Sequence, residues 1–128
     1  MIVVGLLFAG IAAFIHLYIF YLESLAWTDD ATRRTFGTTR EEAQVTRSLA
    51  FNQGFYNLFL AIVAGLGVVL VAVGSTTIGA TLVFTGAGSM VAAGLVLILS
   101  DRSKSRPALI QLVPPLIGVL ALAIGLAR

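Results

Sequence analysis

The chain has 128 residues and a formal net charge of +2, with 59% hydrophobic and only 11% charged residues. Soluble domains carry about a quarter charged residues, so this composition and the mean hydropathy of +1.01 exclude an ordinary soluble domain and indicate a membrane protein. The absence of cysteine excludes disulfides, thiol redox chemistry and cysteine-ligated metals.

Four apolar segments, each close to the ~20 residues that a helix needs to cross a bilayer, follow one another along the chain: residues 2–22, 49–73, 76–99 and 107–127. The first lacks the basic start and the small-residue cleavage site of a secretory signal, so we predict a retained span. Polar loops join the spans at residues 23–48 and 100–106. We therefore predict an all-α membrane protein, in which residues 1–128 form one domain, a compact four-transmembrane-helix bundle.

The first loop has the pattern of a short helix followed by the start of a long one. Residues 28–37, TDDATRRTFG, offer an N-cap, acidic residues in the first turn, and Gly37 as a stop, which predicts a short interfacial helix. Residues 38–42, TTREE, supply two overlapping capping boxes, so the second long helix is expected to begin before the bilayer. Trp27 lies where an interface anchor is expected.

Basic residues are confined to two loops and one terminus. Seven of the eight Lys and Arg lie in residues 23–48 and 100–106, which share one side of a four-span bundle, and the eighth is Arg128. The positive-inside rule makes that side cytoplasmic, so both termini face outward. The basic residues are interleaved with acidic ones and have no aromatic platform, so we predict no nucleic-acid partner.

The strongly polar side chains of the spans fall in the cytoplasmic leaflet. His16 and Glu23 are seven residues apart and so share a helix face, with His16 about 10 Å deeper. The second and fourth spans bring five more polar residues to similar depths: Asn52, Gln53, Tyr56, Asn57 and Gln111. Because a charge centred in the bilayer costs about 2.5 to 3.5 kcal/mol, we predict that all seven line one pocket that opens toward the cytoplasmic leaflet.

His16 and Glu23 are the candidate acid/base pair, since a histidine and a partly buried carboxylate can exchange protons near neutral pH. A structural alternative is that the amides only join helices, at about 0.6 kcal/mol per hydrogen bond, and that Glu23 reaches water or pairs with Arg47. One histidine and one glutamate make a poor metal site. We predict no cofactor and no metal, and whether the chain is an enzyme stays open.

Small residues recur at a spacing of four in three of the spans. The rows are Gly5, Ala9 and Ala13; Thr81, Thr85, Ser89 and Ala93; and Ala121 and Gly125. Such rows let helix backbones approach closely, and in lipid this packing replaces the hydrophobic drive. We predict that helix packing is the role of all three rows.

The order of polar and aromatic residues resembles that of a known family. HLYIFYLE from His16, a tryptophan at Trp27, FG at residues 36–37 and NQGFYN at residues 52–57 are similar to the pattern of small bacterial membrane proteins catalogued as domain of unknown function 1304. The resemblance covers essentially the whole chain, and NQGFYN is its most specific part. It implies a four-helix protein of the bacterial inner membrane. It carries no settled activity, so no catalytic assignment follows from it.

Three functions stay open at this point. The first is binding or processing of a small amphiphile or lipid in the polar pocket. The second is an accessory or scaffold role in a larger membrane complex, and the third is proton-coupled transport by a homo-oligomer. The expected partners are accordingly the lipid bilayer, a lipid-like ligand, and either further copies of the chain or a larger complex.

Overall fold

A computed structural model of the protein describes all residues 1–128. The chain is 89% helical and has no strands. Five α-helices follow in order: α1 (Ile2–Phe20), α2 (Asp30–Phe36), α3 (Arg40–Ala72), α4 (Thr76–Ser100) and α5 (Ser105–Leu126). A π-helical turn, Tyr21–Leu25, continues α1, and a 3-10 turn, Arg102–Lys104, precedes α5. The predicted all-α fold is confirmed, and four helices are long and apolar enough to cross a membrane.

The four long helices form a ring in chain order. Helix α1 packs against α3, α3 against α4, and α4 against α5, which returns to α1, while α1 and α4 lie diagonally and touch little. Gly5 faces Leu122 and Ala9 faces Gly118, so α1 and α5 run antiparallel. We call the end of the ring that carries residues 21–48 and 101–106 the loop end.

The core of the ring consists mainly of small residues. Its two apolar clusters contain Ala9, Val71, Ala80, Val83, Ala87 and Leu122, and then Ala12, Ala13, Ala61, Ala64 and Met90. Large apolar side chains face outward instead; Phe14, for example, is 73% exposed. A small-residue interior under a large apolar surface is the arrangement that lipid-exposed helices adopt, and it fits a multi-pass membrane protein.

Two of the predicted small-residue rows lie between helices. Gly5, Ala9 and Ala13 are buried in α1, and Ala121 is buried in α5. A Cβ added to Gly5 would lie only 2.6 Å from the Leu122 backbone nitrogen. The packing role predicted for these rows therefore agrees with the close approach of α1 and α5.

The prediction for the third row was wrong. Thr81, Thr85 and Ser89 are exposed on the outside of α4, and each hydroxyl donates to the carbonyl four residues earlier, at 2.7 to 2.8 Å. Helix α4 packs through another face. The buried residues of that face are Gly79, Ala80, Val83, Gly86, Ala87, Met90 and Gly94. Hydroxyls that are satisfied within their own helix need no partner helix, and glycines allow the closer approach.

Of the two overlapping capping boxes that the sequence predicts, one is formed. Thr39 Oγ1 accepts from the Glu42 backbone N–H at 3.1 Å, and Glu42 Oε2 accepts from the Thr39 N–H at 2.8 Å. The Thr38 hydroxyl has no partner. Helix α3 therefore begins at Arg40, well before its apolar segment, as predicted. Helix α2 stops at Gly37, whose φ of 66° lies in the left-handed region that favours glycine.

Candidate functional site

Helix α1 ends in a π-helical turn that carries Glu23. The Ala26 N–H donates to the Tyr21 carbonyl at 3.0 Å, a bond to the fifth preceding residue in place of the fourth. Such a turn changes the rotation of the helix beyond it, and π-helical turns occur frequently at functional sites. The partly buried Glu23 side chain reaches α3 from this turn.

Helix α3 comes closest to the π-helical turn at Gly54. A Cβ at this position would overlap Ser24 Oγ and would lie 3.0 Å from the Ser24 nitrogen and 3.1 Å from the Phe20 carbonyl oxygen. Ser24 Oγ donates to the Phe51 carbonyl at 2.8 Å. The glycine of the NQGFYN segment therefore permits the contact that holds the turn against α3.

Glu23 is held by Asn57, a buried amide of α3. Asn57 Nδ2 donates to Glu23 Oε2 at 2.8 Å and to the Gln53 backbone carbonyl at 3.2 Å. Both N–H groups of this amide are thus used, and the position of the carboxylate is set by the helix. Glu23 Oε1 receives no hydrogen bond from the protein, so one carboxylate oxygen is free to accept from a ligand or from water.

An open groove of about 640 Å³ lies at the loop end beside Glu23. Its walls come from the π-helical turn, the segment around α2, the first turns of α3 and the second loop. The lining residues are Glu23, Trp27, Gly37, Thr38, Glu42, Thr46, Leu49, Ala50, Asn52, Gln53, Tyr56 and Lys104. The groove combines apolar, amide and charged side chains.

The groove contains four of the seven residues that the sequence assigned to one pocket. Glu23, Asn52, Gln53 and Tyr56 line it, and the last three have exposed side chains. Asn57 does not line the groove but donates to Glu23, and so it acts on the groove through that carboxylate. Glu23 and the predicted residues of α3 therefore lie together, but the seven residues do not line one common pocket.

His16 and Gln111 lie outside the groove. The imidazole of His16 is only 1% exposed, and its Nδ1 donates to the Ala12 carbonyl at 2.9 Å. No hydrogen bond joins His16 to Glu23, so the structure does not assemble the predicted acid/base pair. The two residues lie about 10 Å apart along the helix axis, and the π-helical turn Tyr21–Leu25 interrupts the regular helical phase on which the shared face was predicted.

Trp27 connects the π-helical turn to α3 by a hydrogen bond and to α2 by an aromatic contact. Its Nε1 donates to Thr46 Oγ1 at 3.1 Å, and that hydroxyl donates to the Glu42 carbonyl at 2.7 Å. The indole also packs on the Phe36 ring, with centroids 5.1 Å apart. Trp27 thus forms a wall of the groove, while its role as an interface anchor stays a prediction.

Lys104 is a groove residue that the sequence did not single out. Its Nζ donates to the Phe36 carbonyl at the C-terminus of α2, where unsatisfied carbonyls favour a cation. Arg102 and Arg106, on either side of it, do not line the groove. In the sequence the three basic residues look alike, because all of them fit a topology signal, and only the fold distinguishes Lys104.

Two carboxylates outside the groove are satisfied by neighbours in the chain. A hydrogen bond from Arg33 holds the pKa of Asp30 below its usual value, and hydrogen bonds from the Ser103 hydroxyl and backbone do the same to the pKa of Asp101. No three of the histidine, aspartate and glutamate side chains gather in a group that could hold a metal ion. Two carboxylates line the groove, Glu23 and Glu42, and each has one oxygen that receives no hydrogen bond from the protein. Glu23 is the partly buried one of the two.

A comparison with known families decides which family the chain represents. The family model described as protein of unknown function (DUF1304) matches residues 10–123. The chain belongs to this family. The resemblance predicted from NQGFYN is thereby confirmed, and the match spans every residue that lines the groove. Neither the curated proteins nor the solved structures give a match. Membership of DUF1304 carries no activity, so the functional argument depends on the groove.

Proposed function

We propose that this protein is a multi-pass protein of the bacterial inner membrane that binds a small amphiphile in the groove beside Glu23. The loop end carries seven of the eight basic residues, so it faces the cytoplasm and both termini face outward. The groove then opens in the cytoplasmic leaflet, and the short helix α2 lies at the interface. The observation that carries the proposal is the Glu23 carboxylate, which Asn57 holds on one oxygen and leaves free on the other.

The lining of the groove supports an amphiphilic ligand. Trp27, Leu49 and Tyr56 supply apolar surface, and Asn52 and Gln53 supply amides whose side chains have no partner within the protein. Binding sites for small molecules are typically apolar with a few placed polar groups. A carboxylate at membrane depth is costly, and in membrane proteins such residues are mostly functional.

The other functions predicted from the sequence draw less support. Transport needs a polar path, but His16 and Asn57 are the only buried polar side chains of the four long helices, and neither lies in the part of the core around Ala9 and Leu122. An accessory role would use the exposed row Thr81, Thr85 and Ser89 on α4, but each of these hydroxyls is satisfied within its own helix. Transport would give substrate-dependent proton flux, and an accessory subunit would co-purify stably with a partner. Catalysis would have to involve Glu23 without His16.

Filling the groove tests the proposal. Protein extracted from native membranes in mild detergent is expected to retain a lipid-sized adduct in native mass spectrometry. Asn52→Trp places an indole in the groove and is expected to reduce that adduct about tenfold, equivalent to about 1.4 kcal/mol of binding free energy.

The matched control is Phe51→Trp, because Phe51 is the exposed neighbour of Asn52 on α3 and does not line the groove. This variant is expected to retain the adduct. Equal retention by both variants, or no adduct on the wild-type protein, would contradict the proposed function.

A further inference from the structure

We infer that the ligand of the groove is a cationic amphiphile, whose polar end is a protonated amine that donates to Glu23 Oε1. The inference rests on the proposed function and adds the chemical class of the ligand. It depends on three observations: the free carboxylate oxygen of Glu23, the absence of an ion pair between Glu23 and Lys104, and the aromatic walls of the groove.

The Glu23 end of the groove offers hydrogen-bond acceptors and a carboxyl group that a bound cation would keep ionised. Glu23 Oε1 has no donor from the protein, and the exposed amides of Asn52 and Gln53 lie along the same wall. An ionised carboxylate in partly buried surroundings is stabilised most by a cation that also hydrogen-bonds to it. A neutral alcohol would supply the hydrogen bond without the charge, and a quaternary ammonium would supply the charge without the hydrogen bond.

The one cationic side chain of the groove, Lys104, acts on the second groove carboxylate, Glu42. Lys104 is bound to the Phe36 carbonyl, three residues before the N-cap Thr39 of α3. Hydrogen bonds from Thr39 hold the pKa of Glu42 below its usual value, and the charge of Lys104 acts in the same direction. Lys104 makes no ion pair with Glu23. A headgroup that carries its own phosphate beside the amine would bring a second anion to Glu23 with no cation paired to it.

Aromatic rings flank the path to Glu23. Trp27 and Tyr56 both line the groove, and the Tyr56 side chain is 64% exposed. The faces of such rings attract organic cations, and their apolar area accommodates an alkyl chain. The same walls would give no advantage to an anionic amphiphile, which Glu23 repels. The charge of the groove and its aromatic lining thus point to the same ligand class.

Trp27 provides the measurement, because it is the only tryptophan of the chain and lines the groove. Purified full-length protein in an uncharged maltoside detergent is titrated, with Trp27 fluorescence as the readout, using three probes of equal chain length: dodecylamine, dodecyltrimethylammonium and dodecanol. Dodecylamine is expected to bind about tenfold more tightly than either of the other two, the factor that one charge-assisted hydrogen bond supplies.

Glu23→Gln is expected to remove the preference for dodecylamine, because glutamine retains an oxygen for Asn57 and loses the charge. Glu41→Gln, on the exposed first turn of α3 and outside the groove, is the matched control and is expected to keep the preference.

Equal binding of dodecylamine and dodecanol would overturn the inference and leave groove binding, and so the proposed function, intact. Binding of dodecyltrimethylammonium as tightly as dodecylamine would overturn the hydrogen bond to Glu23 Oε1. A preference that survives Glu23→Gln would overturn the assignment to that residue. If none of the probes binds and no native adduct is found, both proposals fail.

Discussion

Gly67→Ala is expected to lower the free energy of unfolding of the bundle by about 1 to 3 kcal/mol, the usual range for overpacking a close-packed interior. A Cβ at Gly67 would lie 2.6 Å from the Val83 backbone nitrogen and 2.7 Å from the Gly79 carbonyl oxygen. Both are backbone atoms that cannot rotate away, so α3 and α4 would have to separate. In lipid this separation matters, because close packing supplies much of the association between helices.

The matched control for Gly67→Ala is Gly65→Ala, the same change two residues earlier on α3. A Cβ at Gly65 meets nothing within 4 Å, and alanine is the better helix former by up to about 1 kcal/mol. We expect this variant to melt at or slightly above the wild-type temperature. Thermal unfolding in one detergent, followed by circular dichroism, measures both variants, and equal melting temperatures would contradict the packing described here.

Asn57→Leu is expected to lower the free energy of unfolding by about 1 to 3 kcal/mol and to abolish retention of the ligand. Leucine has a similar size but no donor, so the partly buried Glu23 Oε2 would lose its hydrogen bond, and an unsatisfied buried acceptor costs that amount or more when charged. Asn52→Leu is the control for the stability measurement alone, because that amide is exposed and makes no hydrogen bond within the protein. Denaturant unfolding and native mass spectrometry measure the two effects.

The double variant Glu23→Leu with Asn57→Leu distinguishes the contribution of the Glu23–Asn57 hydrogen bond to stability from that of side-chain packing. Replacement of both partners by apolar residues leaves no unsatisfied group. We expect the double variant to recover most of the stability lost in Asn57→Leu while its ligand binding stays lost. If Asn57→Leu were no less stable than Asn52→Leu, or if the double variant were less stable still, the Glu23–Asn57 contact would not have the role assigned to it.

The sequence predicted most of the fold because apolar length and capping chemistry act locally. Residues 2–22, 49–73, 76–99 and 107–127 were expected to form long helices and do so within a few residues, apart from the early start of α3, which the TTREE segment itself indicated. The glycine at position 37 stops α2 through its own backbone preference. Each of these features depends only on neighbours in the chain, so a single sequence contains enough information for it.

The site was harder to predict because it depends on rotation and on contacts between distant segments. A π-helical turn shifts the phase of α1 between His16 and Glu23, and no residue in Tyr21–Leu25 signals it; the close approach of Gly54 becomes visible only in the fold. Lys104 reaches the groove across 68 residues of chain. The exposed row of small residues on α4 has the same spacing in the sequence as the buried rows on α1 and α5. Only the packing of the helices distinguishes the exposed row from the buried ones.

The most direct measurement of the central claim is a density map of the wild-type protein purified with native lipid. The account predicts non-protein density in the groove between Trp27 and Tyr56, with its polar end within hydrogen-bond distance of Glu23 Oε1 and the Glu23–Asn57 contact intact. A groove that contains only ordered water, with the Glu23 side chain turned away from Asn57 into solvent, would contradict it.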